Sequence, residues 1–141
     1  MSYTKRELIE TALTELGLAV YSFDIMPDQF RAALTRLDMM MADWYAKGID
    51  VGYAQPIVPN DSELSDDSEI DSAAWEAVVL QLAIRIAPSF GKTPSSSTRI
   101  NATNAMNTVF STYSGTIERT ASVLPAGAGN KSYDQPFISG D

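Results

Sequence analysis

Two residue types are missing from this chain altogether: it has no cysteine and no histidine. Without cysteine there is no disulfide, no thiolate metal site and no thiol nucleophile. Without histidine the commonest general base and the commonest transition-metal ligand are gone. A Ser-His-Asp triad and a histidine-ligated zinc site go with them. Bases are also scarce, since 10 Lys and Arg against 18 Asp and Glu leave a formal net charge of -8. A generic nucleic-acid binder carries a basic face, so this balance points away from one. Long hydrophobic runs are lacking too. The most apolar stretch, 77–87, is too short for a membrane span and is interrupted by Gln81 and Arg85. The start, Met1-Ser2-Tyr3-Thr4-Lys5-Arg6-Glu7, does not have the form of a signal peptide. Synthesis in the cytosol with no membrane partner is the expectation.

What is present suits one compact domain. The chain has 141 residues, 45% of them hydrophobic, which is enough for a single packed core. The charge is uneven along it. Residues 54–71 hold six acids and no base, whereas 72–120 hold four bases (Arg85, Lys92, Arg99, Arg119) against Glu76 and Glu118.

Periodicity predicts about four helices. Thr4-Lys5-Arg6-Glu7 is a capping box that opens the first. Ile9, Ala12, Leu13 and Leu16 then share a face, and Gly17 ends the helix. Pro27 suits the first position of the second helix. There Phe30, Leu34, Leu37, Met41 and Trp44 form one stripe that Gly48 closes. Ile49 to Pro59 is extended, with a short β-arm as an option that Pro56 and Pro59 weaken. An acidic loop, solvated and mobile, follows over 60–69. Ser68 or Asp71 caps the third helix, whose stripe is Trp75, Val79, Leu82 and Ile86, flanked by Ala74 and Val78, and Pro88 stops it. A fourth helix begins near Pro94 with Ala102, Met106, Val109, Tyr113 and Ile117 on one face. The predicted fold is therefore all-α. It is a bundle of about four helices over 1–120, with an acidic segment at 54–71 and an extended tail at 121–141. The expected core includes Leu37, Met41, Trp44, Trp75, Val79 and Leu82, with the two tryptophans in one cluster between the second and third helices. Trp44-Tyr45 and Trp75 as a ligand-stacking platform is the lesser reading, because both tryptophans lie on apolar stripes. Met39-Met40-Met41 divides in the same way between an adaptable binding surface and the core, with Met41 inside.

Candidate chemistry is thin. Glu7, Glu10 and Glu15, or Asp38 and Asp43, are the carboxylate pairs that a glycosidase would use, but acids on helix surfaces are ordinarily solvated. Asp61, Glu63, Asp66, Asp67 and Glu69 are oxygen donors without the spacing or the glycine of a calcium loop. Gly91-Lys92-Thr93 is the end of a phosphate loop whose beginning is missing. No cofactor and no metal site is expected. The tail is the feature that composition explains least. Leu124, Pro125, Tyr133, Phe137 and Ile138 are apolar residues spread through a segment with no period of its own. Gly127, Gly129 and Asn130 let that backbone turn. Such a segment orders on a partner.

The segments Leu13-Thr14-Glu15-Leu16-Gly17, Leu37-Asp38-Met39-Met40-Met41-Ala42-Asp43-Trp44-Tyr45-Ala46-Lys47-Gly48-Ile49, Leu82-Ala83-Ile84-Arg85-Ile86-Ala87-Pro88 and Leu124-Pro125-Ala126-Gly127-Ala128-Gly129-Asn130 occur in that order. In this succession the chain resembles the head-completion adaptor family of short-tailed bacteriophages, the tail accessory or packaged-DNA stabilisation factors. The resemblance implies a helical bundle that joins the portal protein in a dodecameric ring at the portal vertex, after residence in the host cytoplasm. Such a ring closes the DNA-filled head and offers a platform to a downstream tail protein. It also implies that the tail, through the residues named above, reaches the portal and neighbouring copies. Asp61, Glu63, Asp66, Asp67 and Glu69 would then face a channel through which DNA passes without specific binding, their charge keeping it mobile. A virion-borne, carboxylate-based peptidoglycan hydrolase and a free-standing cytosolic protein-binding adaptor are the alternatives.

Overall fold

The computed structural model describes residues 3–18 and 25–113. They form four α-helices, α1 (Lys5–Glu15), α2 (Pro27–Ala46), α3 (Ser72–Ile86) and α4 (Ser96–Tyr113), with a short 3-10 helix (Ala87–Phe90) between the last two. The fold is mainly α and bundle-like.

The helix ends follow local chemistry. Thr4 Oγ1 accepts the Glu7 amide at 3.2 Å, and Gly17 adopts a left-handed φ of 83° just past α1. Pro27 opens α2, where the Met26 amide donates to Gln29 Oε1 at 2.9 Å. Gly48, with φ 87°, follows its end. Asp71 is the N-cap of α3. Pro88 stops that helix, because its ring cannot donate a hydrogen bond and crowds the preceding turn. The chain tightens into the 3-10 helix and turns at Gly91, φ 68°.

The hydrophobic core lies around α3, which packs on each of the other three helices. That position explains its composition. Ala74, Ala77, Val78, Val79, Leu80, Leu82, Ala83 and Ile86 are all buried, a wider surface than one stripe supplies. Together with the 3-10 helix, Ser72–Phe90 is long and apolar enough to cross a membrane. The run 77–87 alone is too short to do so. The apolar character belongs here to a central helix covered by its neighbours. Helices α3 and α4 run antiparallel: the Tyr113 hydroxyl at the end of α4 donates to Asp71 Oδ2 at the start of α3, at 3.1 Å.

Leu37, Met41, Trp44, Val79 and Leu82 are buried in this core, as is Met40, while Met39 is 60% exposed. Trp75 departs from expectation. It is only partly buried, packs against the core from its edge, and stacks on Tyr3 with ring centroids 4.3 Å apart. The stripe fixed the direction in which Trp75 points. The element met in that direction is the chain leading into α1, which is too thin to enclose an indole.

Among the described residues there is no strand, only an isolated bridge between Thr4 and Asp67. The segment after α2 is extended, as expected, without the optional β-arm, and two backbone bonds hold it. Asp71 N donates to Val51 O at 3.1 Å and Ala54 N to Ser68 O at 3.0 Å. Between them Gly52 takes φ 87°. A Cβ there would meet Glu69 O at 3.0 Å, so the two segments approach closely at that point. Pro56 and Pro59 offer no amide proton to extend the pairing. Ile117 and the tail residues 121–141 lie outside the described residues.

Candidate functional site

One polar cluster is built into the fold. The side chain of Lys5 sits on the apolar face of α1 and is 1% exposed. Its Nζ donates to Ser62 Oγ at 2.6 Å and to Ala54 O at 3.0 Å, and lies 4.7 Å from the centre of the Tyr53 ring. Asp38 Oδ1, from α2, stands 3.8 Å from the ammonium. It accepts the Tyr53 hydroxyl at 2.6 Å and the Ser62 hydroxyl at 3.3 Å. Burial first, then the hydrogen bond to Asp38 and that carboxylate's charge, push the Tyr53 phenol far above its ordinary range. It is therefore a permanent donor at any physiological pH.

The cluster joins α1, α2, the extended segment and the acidic loop at one point. Its chemistry is that of a clamp. Lys5 and Ser62 are buried, and Lys5 Nζ and the Tyr53 and Ser62 hydroxyls all donate to protein acceptors.

The acidic segment is anchored, where the sequence suggested a mobile loop. The first amides of α1, which have no partner inside their own helix, donate outward. Lys5 N reaches Asp66 O at 2.9 Å and Arg6 N reaches Leu64 O at 3.0 Å. Ser68, fully buried, donates through its amide and its hydroxyl to Tyr3 O at 2.9 and 2.7 Å. Arg31 Nη1 donates to Ser62 O at 3.1 Å. Asp66 Oδ2 accepts the Glu63 amide at 2.9 Å, folding the loop on itself. The five acids named from the sequence, Asp61, Glu63, Asp66, Asp67 and Glu69, are nevertheless all exposed. The backbone is pinned while the carboxylates stay in water, beside the positive end of α1. Among the described residues no group of three carboxylates is placed to hold a metal ion.

The other carboxylates are accounted for singly. Glu10 pairs with Arg6 at 3.1 Å and Asp43 with Lys47 at 3.0 Å, each one helical turn apart. Asp38 belongs to the clamp, while Glu7 and Glu15 are exposed on α1. Sequence reasoning missed Lys5, Tyr53 and Ser62. A signal for the first was present: Lys5 stands three and four residues before Leu8 and Ile9, in line with the buried face of α1.

Two surface features lie apart from this cluster. Ile57 is 94% and Val58 56% exposed, on a projection bracketed by Pro56 and Pro59. A groove of about 210 Å³ lies between the first half of α2 and the end of α3 with its 3-10 helix. It is lined by Ala32, Ala33, Ile86 and Phe90, with Asp28 and Arg36 among its polar residues. A family model described as P22 tail accessory factor matches residues 1–136, which takes in the whole helical body and most of the segment beyond it.

Proposed function

Since the chain belongs to the P22 tail accessory factor family, a structural family of short-tailed phage virions, we propose that it is a head-to-tail adaptor that works by binding its neighbours. It docks on the portal protein, assembles there as a dodecameric ring at the portal vertex, closes the DNA-filled head and offers a platform to the next tail protein. The observation that carries this reading is the extent of the family match, continuous from the first helix into the tail.

Physical features support the parts. The tail, 121–141, combines Leu124, Pro125, Tyr133, Phe137 and Ile138 with Gly127, Gly129 and Asn130. These side chains gain most by entering grooves on a partner. In this reading they carry portal binding, and the body needs none of them. The exposed acids Asp61, Glu63, Asp66, Asp67 and Glu69 project from a backbone that is held in place. Facing a channel, they repel DNA and leave it free to slide.

The test is a chain truncated after Thr120. It melts near the full-length temperature and fails to co-sediment with portal rings. Full-affinity portal binding by the truncated chain places the binding surface on the helices or the acidic loop instead. A peptidoglycan clearing assay on the full chain distinguishes the adaptor from a hydrolase.

A further inference from the structure

We infer that neighbouring copies of this chain meet through charge at Trp75: the Lys92 turn of one copy seats in the groove beside Trp75 of the next, its ammonium facing Glu15 and Glu76. The inference rests on the ring reading above and names the contact that joins copies within the ring.

The groove, about 290 Å³, lies between α1, the first half of α3 and the start of α4. Its apolar part is Trp75, Val79 and Leu80. Its charged residues are Glu15 and Glu76, with no base in the lining. Both carboxylates are exposed, and neither is ion-paired among the described residues. A neighbouring groove shares Trp75 and carries Asp67, Glu69 and Asp71, again without a base. Five carboxylates thus stand around one partly buried indole. Such a place suits an apolar stem that ends in a cation. The stem lies along the apolar wall, the carboxylates attract the charge, and the face of the indole attracts it too.

The chain carries the complementary charge elsewhere. Residues 77–113 hold Arg85, Lys92 and Arg99 and no acid. All three bases are exposed, and none is ion-paired among the described residues. Lys92 stands on the turn between α3 and α4, just past the left-handed Gly91. Arg85 and Arg99 flank it. Each lies fourteen residues from the Tyr113–Asp71 bond along its own helix, so the antiparallel packing sets them level. The bases therefore gather at the end of α3, whereas Trp75 is near its start. Arg85 is ten residues beyond Trp75, about 15 Å along the axis at roughly 1.5 Å per residue. Turn and groove are different surfaces of one chain, so the contact is head-to-tail. Repetition of such a contact gives a closed ring when the rotation between copies permits it. Exposed charges orient an encounter more than they strengthen it. Copies held side by side on a portal meet at high effective concentration, where a weak contact is enough.

The test is an exchange of charge. E15K/E76K makes the groove basic, and K92E makes the turn acidic. All three positions are exposed, so both variants melt as the parent does. On portal rings from the same phage, each variant alone sets like charges against each other, and its binding, read by co-sedimentation, weakens about tenfold or more. An equimolar mixture of the two recovers the parent's occupancy, because the basic groove of one variant then receives the acidic turn of the other, and the reverse. Recovery on mixing arises only from a contact between copies. A variant that fills portal rings as the parent does, or a mixture that binds no better than its components, overturns the contact and leaves the adaptor reading intact. A parent chain that forms no ring on the portal overturns the ring reading and this contact together.

Discussion

Replacing either end of the Lys5–Asp38 pair should destabilise the protein, and the two losses should be unequal. In Lys5→Met the stem that fills the core is kept and the ammonium is removed. The carboxylate left behind still accepts from Tyr53 and Ser62, and its side chain is 15% exposed. The loss is therefore that of a charge-assisted hydrogen bond, about 2–3 kcal/mol. In Asp38→Ala the group left behind is an ammonium whose side chain is 2% exposed, together with an orphaned Tyr53 hydroxyl. Breaking a buried pair in this way costs about 3–5 kcal/mol. Urea melts measure both. With a slope of about 2 kcal/mol per molar, the midpoints fall by roughly 1–1.5 M for Lys5→Met and further for Asp38→Ala. The double variant should lose less than the sum, since the two side chains share one network. A Lys5→Met chain within 0.5 kcal/mol of the parent, or one weaker than Asp38→Ala, refutes the clamp.

Trp44→Ala should cost about 3–5 kcal/mol, because Trp44 is 3% exposed. Trp75→Ala should cost visibly less in the same urea melt, since its indole rests on Tyr3 at the edge of the core; equal costs would place Trp75 inside. Tyr53 holds its proton in the folded state above pH 10, where an unfolded tyrosine loses it. Its contribution is thus complete below about pH 10 and declines above it, by up to about 1.4 kcal/mol per pH unit. The stability gap between the parent and Tyr53→Phe should narrow as pH rises from 9 to 11, and a gap that widens would contradict the sign.

What the sequence made legible was local. Thr4, Pro27, Gly17, Gly48 and Pro88 mark helix ends through backbone chemistry that acts within a few residues. The stripe on α2 was legible because that helix packs on one side. The clamp was not, since Lys5 meets residues 33, 49 and 57 positions away. No spacing rule connects positions so far apart. Burial depth was equally hidden: periodicity gives the direction of Trp75, whereas its cover depends on which element lies opposite. The acidic segment looked free because its side chains are hydrophilic, yet its anchors are backbone carbonyls, and any residue type supplies those. Ile57 and Val58, an aliphatic pair between two prolines, are exposed, which their hydrophobic character alone does not foretell.

Native mass spectrometry of the full chain, alone and mixed with its portal ring, tests the adaptor account most directly. The account predicts a monomer or weakly associated species alone at low micromolar concentration, and a portal complex heavier by a dodecamer of this chain. A stable ring in the absence of portal, or a portal ring whose mass does not change, would contradict it.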